Sequence, residues 1–173
     1  MFNVENKIGG DAGLSPRGRQ YGAKLAEFMK EQAEVKDESF KLWCSTLQRT
    51  IETASFLSDV VDGPAVRWRA LSEIEAGLCD GLAYEDVQTI YPEEFEMRKK
   101  DKLRYRYPQG ESYLDVIQRL EPIIFALERS TSPILVVFYC KEIAPDLNRL
   151  LIEPCCDAYM HTSSTSLPNK YLS

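Results

Sequence analysis

The sequence predicts an α/β fold with a mainly parallel sheet flanked by helices. Three observations carry that prediction. Stretches with apolar residues at helical spacing are interleaved with short stretches that read as strands. The run "ILVV" (134–137) is continuously apolar, as a strand buried on both faces requires. Helix-start signals stand at Ser15-Pro16 and at Ser112 with Asp115, ahead of the two longest helical patterns. A chain of 173 residues, 44% hydrophobic and 28% charged, suits one globular domain with a real core.

The elements follow in order. Ser15 reads as an N-cap with Pro16 at the first helical position, and Tyr21, Leu25, Phe28 and Met29 continue at helical spacing. "FKLWCS" (40–45) reads as a strand and "TLQRTIETASFL" (46–57) as a helix with Leu47, Ile51, Ala54 and Leu57 on one side. "AVRWRA" (65–70) alternates like a strand. Residues 84–102 read as two short helices broken near Pro92. A longer helix starts at Ser112, with Asp115 in the capping-box position. Its expected buried stripe is Tyr113, Val116, Ile117, Leu120, Ile124 and Leu127, with a kink at Pro122. Beyond Phe138 the pattern fails, and an irregular tail is expected after about residue 153.

Composition excludes several functions. There are 27 acidic and 21 basic side chains, net −6, which argues against a general nucleic-acid partner. "MFNVENKIGG" does not read as a signal peptide, and "ILVVFYC" falls far short of the roughly 20 residues that span a bilayer. A cytoplasmic protein without a membrane partner is expected. The five cysteines, Cys44, Cys79, Cys140, Cys155 and Cys156, form no C-x-x-C pair, so free thiols are expected rather than disulfides or zinc. No cofactor is expected. There is no P-loop motif, and the single histidine, His161, falls in the irregular tail and is not read as catalytic.

Three places offer chemistry, because ligands of open parallel sheets gather at the carboxyl ends of strands. In "CSTLQRT", Arg49 falls in the first turn of a helix, where backbone N–H groups favour an anion, although an ordinary surface arginine has the same look. Cys44 and Arg49 have four residues between them, not the five of a cysteine-phosphatase loop. In "LSEIEAG", Glu73 and Glu75 lie just past a strand end. There a partly buried carboxyl group can act as a proton donor, or simply be solvated. From Arg98 to Arg106 six cations accompany one anion. Arg98 and Lys102, four apart, share a helix face; Arg104 and Arg106 alternate with Tyr105 and Tyr107 along an extended segment before Pro108. Such a cluster suits a phosphorylated sugar, a solvated face, or a single-stranded nucleic-acid surface.

The stretches "FNVENKIGGDAGLSPRGRQY", "LWCSTLQRTIETA", "EIEAGLCDGLAYED", "YPEEFEMRKKDKLRYRYPQGESYLDVIQRLEPII" and "ILVV" run collinearly over residues 2–137. In them the chain resembles the fructose-2,6-bisphosphatase domains of the bifunctional 6-phosphofructo-2-kinase/fructose-2,6-bisphosphatases, a branch of the histidine phosphatase (phosphoglycerate mutase-like) superfamily. The resemblance implies that fold, incomplete here, over residues 1–138, with a divergent tail over 139–173. It implies a sugar-phosphate partner, fructose 2,6-bisphosphate or fructose 6-phosphate, and a kinase domain in a longer form. It implies that Arg49 clamps the transferred phosphoryl group, that Glu73 protonates the sugar's 2-oxygen, and that Asn3 and Gly9 contact the bisphosphate. Tyr84, Arg98, Lys102 and Tyr113 are implied to hold the 6-phosphate and the sugar.

The family's nucleophile is the histidine of an R-H-G motif several residues before the position of Asn3, and these 173 residues do not contain it. The strand that feeds that motif is missing as well. The family's second histidine follows the "ILVV" strand, where this sequence reads Phe138-Tyr139-Cys140. The expectation is therefore a fructose-2,6-bisphosphatase-like domain with little or no hydrolysis by this chain alone; the alternatives are a non-catalytic sugar-phosphate-binding module or an incomplete fragment.

Overall fold

The structure, a computed structural model, describes residues 7–36, 39–138 and 159–161. The chain divides into two compact units that interleave along the sequence. The first is Met1–Ala12 with Glu73–Pro122, and the second is Gly13–Ser72 with Ile123–Ser173.

The second unit holds the sheet. Its strands are β1 (Lys41–Cys44), β2 (Val66–Arg67), β3 (Ile134–Val137) and β4 (Tyr159–His161), in the order β2-β1-β3-β4. All neighbours are parallel, with Leu42 opposite Leu135 and Cys44 opposite both Val137 and Arg67. Every residue of β3 is buried, as its uninterrupted apolar run requires. Phe40, just before β1, and Leu42 and Cys44 on its period-two side pack into a core with Leu25 and Met29 of helix α1 (Pro16–Lys36) and Ala54 of helix α2 (Gln48–Ser55). Leu57, just after α2, is fully buried in the same core.

Helix α1 begins as its sequence prescribes. Pro16 opens it, and the Ser15 hydroxyl accepts from the Gly18 backbone N–H at 3.1 Å. The expected strand over 65–70 is shorter than its alternation suggests. Only Val66 and Arg67 pair, and the chain then tightens into a 3-10 turn at Arg69–Leu71 that buries Leu71. Both β2 residues are exposed, so no apolar face holds a longer edge strand there. Tyr159–His161 lies within the expected irregular tail, yet it pairs with β3 at Leu135–Val137. The rest of that tail lies outside the described residues.

The first unit is mostly helical: α3 (Tyr84–Ile90), α4 (Pro92–Lys100) and the opening part of α5 (Tyr113–Glu128). Its core gathers Ile8, Ala76, Cys79, Val87 and Tyr107. Helix α4 is matched to its own dipole, with Pro92 at the start, Glu93 and Glu94 in the first turn, and Arg98, Lys99 and Lys100 in the last. At α5 the expected capping box is present. The Asp115 carboxylate accepts from the Ser112 backbone N–H at 2.6 Å, and the Ser112 hydroxyl accepts from the Asp115 N–H at 3.3 Å. Pro122 lies inside α5, which continues to Glu128. Tyr113, Val116 and Leu120 of the expected stripe are buried, but Ile117 is 40% exposed, Ile124 and Leu127 are only partly buried, and Ile123 is buried instead.

Candidate functional site

In the second unit the strand-to-helix turn after β1 is built on hydroxyls. Ser45 is fully buried, and its hydroxyl lies 2.7 Å from that of Thr50, itself buried. The Thr50 hydroxyl also reaches the Leu47 carbonyl at 2.8 Å, and Ser45 Oγ accepts from the Leu47 N–H at 3.2 Å. These bonds satisfy polar groups that burial would otherwise penalise, and they fix how α2 leaves the sheet. Arg49 follows in the first turn of α2, as expected. The Ser45–Thr50 pair was not singled out from the sequence. Its signal is a serine at a strand end with a threonine five residues on, a pattern too common to weigh alone. Cys44 is buried at the same strand end, and that burial pushes its thiol pKa upward, so it is a core side chain.

The first unit contains Gly9, Glu73, Tyr84, Arg98, Lys102 and Tyr113. Asn3 lies outside the described residues. Gly9 has φ +64, and a Cβ there would fall 1.6 Å from Asp80 Oδ1. The same carboxylate oxygen accepts from the Gly10 N–H at 2.8 Å. Gly9 is thus required by this turn whatever else it touches.

Glu73 opens a loop held from both sides. Arg119 donates to the Glu73 carbonyl at 3.2 Å and to the two Glu111 carboxylate oxygens at 2.9 and 3.2 Å. Glu111 in turn accepts from the Glu75 N–H at 3.0 Å, and its own N–H donates to the Glu75 carbonyl at 2.8 Å. The nearby turn at 108–110 presses on the same loop. The Pro108 carbonyl accepts from the Leu78 N–H, and a Cβ at Gly77 (φ +53) would lie 2.1 Å from that oxygen.

The six cations of 98–106 separate into distinct roles. Arg98 lies over two aromatic faces, its guanidinium carbon 5.5 Å from the centre of the Tyr84 ring and 5.7 Å from that of Tyr107. Lys102 Nζ lies 5.9 Å from the centre of the buried Tyr113 ring. Helix α4 ends at Lys100, so Lys102 belongs to the following turn and does not share a helix face with Arg98. Arg104 pairs with Asp101 at 3.2 Å and Arg106 with Asp115 at 2.5 Å. Lys99 and Lys100 are exposed in the last turn of α4. Tyr105 and Tyr107 turn inward, away from Arg104 and Arg106, as their alternation suggests.

Two electrostatic consequences follow. Bonds from Ser112, aided by Arg106, hold the Asp115 carboxyl down at about 2. Burial and the Glu94 carboxylate, which accepts from the Tyr105 hydroxyl at 2.7 Å, push that phenol above its ordinary value. Beside this pair lies an open depression of about 530 Å³, lined by Met97, Arg104, Tyr105, Arg106 and Tyr107 among others. None of Tyr84, Arg98, Lys102 and Tyr113 lines it. Among the described residues no cluster of histidine, cysteine and carboxylate side chains could hold a metal ion, and no helix is long and apolar enough to cross a membrane.

Residues 2–143 match the histidine phosphatase superfamily (branch 1). Over 137 residues, 79% of this chain, the sequence is 55% identical to a 6-phosphofructo-2-kinase/fructose-2,6-bisphosphatase of Arabidopsis thaliana, and 51% over 136 residues to that of Gallus gallus. The chain spans 18% and 27% of those two relatives. A mycobacterial glucosyl-3-phosphoglycerate phosphatase in complex with VO3 superposes with a TM-score of 0.69 at 25% identity, covering 88% of this chain and 77% of its own. A putative alpha-ribazole-5'-P phosphatase from Escherichia coli gives 0.72 at 22% identity, covering 88% and 74%, a likeness of fold.

Proposed function

Because the chain belongs to the histidine phosphatase superfamily, we propose that it is the sugar-phosphate-binding part of a fructose-2,6-bisphosphatase-like domain. The observation that carries this reading is the arginine lying over the Tyr84 and Tyr107 rings. Arg98 lies in the segment the resemblance assigns to the 6-phosphate, and its planar fork suits two phosphate oxygens at once. Lys102 adds a point charge beside Tyr113, and Tyr84 and Tyr113 offer ring faces and hydroxyls to the sugar.

The remaining roles come from the resemblance. In the family's reaction a histidine nitrogen attacks the phosphorus at the sugar's 2-position. The phosphorus–oxygen bond breaks, the departing 2-oxygen takes a proton from a carboxylic acid, and water later releases the phosphoryl group. Glu73 is proposed as that acid, and Arg49 as the clamp on the transferred group. The Arg119 bond to the Glu73 carbonyl supports the first assignment, since a proton donor must be held in place. Asn3 and Gly9 are proposed as contacts to the bisphosphate.

The attacking imidazole has no counterpart among these residues. The only histidine is His161, and no R-H-G triplet occurs. A polypeptide of these 173 residues is therefore proposed to bind fructose 6-phosphate and fructose 2,6-bisphosphate while hydrolysing the latter very slowly. Losing a nucleophile that works as part of a unit costs on the order of a millionfold in rate. A kinase domain in a longer chain and a cytoplasmic location belong to the same proposal.

Calorimetric titration with fructose 6-phosphate tests the binding. Arg98→Ala and Lys102→Ala should each weaken it by about 10- to 100-fold, the range for removing a charged hydrogen-bond donor. No heat at millimolar ligand from a folded protein would overturn the reading. A turnover assay on fructose 2,6-bisphosphate, with mass spectrometry for phosphohistidine, tests the impairment, and a captured phosphoenzyme would refute it.

A further inference from the structure

We propose that Tyr107, braced by the Tyr105–Glu94 pair, is a positioning residue that sets Arg98 for anion binding. The inference deepens the sugar-phosphate reading and rests on it. Four side chains form a continuous relay within the first unit. Glu94 and Arg98 are four residues apart on α4 and so rise from the same helix face. The Tyr105 hydroxyl donates to Glu94 Oε2 at 2.7 Å. The Tyr105 and Tyr107 rings meet edge to face, 5.2 Å apart at 76°, the arrangement their quadrupoles favour. The Tyr107 face then lies 5.7 Å from the Arg98 guanidinium carbon, with Tyr84 at 5.5 Å as the second face.

Each link has a reason to be rigid. Tyr107 is 4% exposed and packs with Ile8, Ala76, Cys79 and Val87. Its backbone N–H donates to the Glu111 carbonyl at 3.2 Å, and its carbonyl accepts from Gly110 at 2.8 Å, so the ring cannot swing with a loop. An arginine side chain left to itself loses several rotatable bonds' worth of freedom when it captures a phosphate. A guanidinium whose carbon already lies 5.5 Å from the Tyr84 ring centre and 5.7 Å from that of Tyr107 has lost part of that freedom before the ligand arrives. Glu94 acts at one remove. By holding the Tyr105 hydroxyl it fixes the ring edge that fixes Tyr107, and its carboxylate is engaged with that phenol, four residues from the cation.

The test combines affinity with a readout of Arg98 itself. Fructose 6-phosphate is titrated into wild type, Tyr107→Phe, Tyr107→Leu, Tyr105→Phe and Arg98→Ala, each checked for folding by circular dichroism. Tyr107→Leu is repeated in the Arg98→Ala background. The Arg98 side-chain Nε–H resonance is followed by NMR without ligand. Expected are an upfield, ring-shielded Arg98 signal in wild type and retention of signal and affinity in Tyr107→Phe. Tyr107→Leu should lose about 5- to 10-fold in affinity with a downfield shift, and that loss should vanish when Arg98 is already alanine. Tyr105→Phe should lose about twofold with a smaller shift, and this variant decides the matter if Tyr107→Leu fails to fold. An unshielded Arg98 signal in wild type would overturn the inference. So would a folded Tyr107→Leu that binds like wild type, or an equal loss with and without Arg98. If wild type binds no sugar phosphate the sugar-phosphate reading falls, and the Arg98 resonance still decides what Tyr107 does to the arginine.

Discussion

Of the six cations between Arg98 and Arg106, the structure sets two apart by their surroundings. Arg98 and Lys102 lie against tyrosine rings, Arg104 and Arg106 are tied to Asp101 and Asp115, and Lys99 and Lys100 are exposed at a helix end. A lysine in the last turn interacts with the helix dipole at the scale of about 0.3–1 kcal/mol, so Lys99 and Lys100 have a purely helical reason to be basic. Lys99→Ala and Lys100→Ala should therefore leave fructose 6-phosphate affinity within about twofold by calorimetry, against the much larger loss for Arg98→Ala. A tenfold loss at either lysine would move the anion site onto the outer face of α4. Local pattern brings all six charges into view but does not sort them; only the resemblance sets Arg98 and Lys102 apart. Whether Arg106 meets Asp115 nine positions on depends on how the 108–110 turn folds back onto Glu75–Leu78, a pairing that no local pattern encodes. Cys79 is a second case. It reads as an ordinary thiol in sequence, yet it is fully buried, and burial followed by the Glu94 charge raises its pKa. Cys44 and Cys79 should take up an alkylating reagent only after denaturation, as peptide mapping would show.

At the scale of elements, the legible parts are those whose ends carry chemistry. Ser15-Pro16 and Ser112 with Asp115 state where α1 and α5 begin, because a cap bonds within three residues of itself. Strand β2 is shorter than the alternation of "AVRWRA" because Val66 is left exposed and the chain turns at Arg69, and Ile117 departs because a helical stripe inferred from spacing can be rotated by one residue. The α5 cap yields a pH prediction. The Asp115 carboxyl sits at about 2 in the folded chain, below its ordinary 3.8. A depressed carboxyl supports the fold fully above its unfolded value and loses that support as pH falls through the folded one. Acid titration should therefore erode the α5 start between about pH 4 and pH 2, read by helical ellipticity. Asp115→Asn should be less stable at neutral pH and show a flatter response across that window. Ser112→Ala should cost about 1 kcal/mol in chemical denaturation. An unchanged acid profile in Asp115→Asn would remove the cap from the account.

At the scale of the molecule, the α/β class with a parallel sheet was readable because interleaved periodicities report layer architecture directly. The division into two units was not, since the first is assembled from residues on both sides of α1, β1 and α2, and contacts so far apart in sequence leave no periodic trace. Each unit has its own core, one around Leu25, Phe40 and Leu135 and one around Ile8, Cys79 and Tyr107. That separation makes ligand binding a local event with a measurable signature. A ligand bound only by the folded state stabilises it by about 2.7 kcal/mol at a hundredfold excess over Kd. For a chain of this length that corresponds to a rise of about 5–11 °C in the midpoint of the transition that carries the ligand-binding unit. Net charge works against the anion at long range, while the cations beside Tyr84, Tyr107 and Tyr113 act at contact, where salt screens least. The stabilisation should thus survive physiological salt. Hydrogen exchange with saturating fructose 6-phosphate should slow amides from Tyr84 to Tyr113 while leaving α1 unchanged. Uniform slowing through Pro16–Lys36, or a midpoint that does not move, would contradict a site built on Arg98 and Lys102.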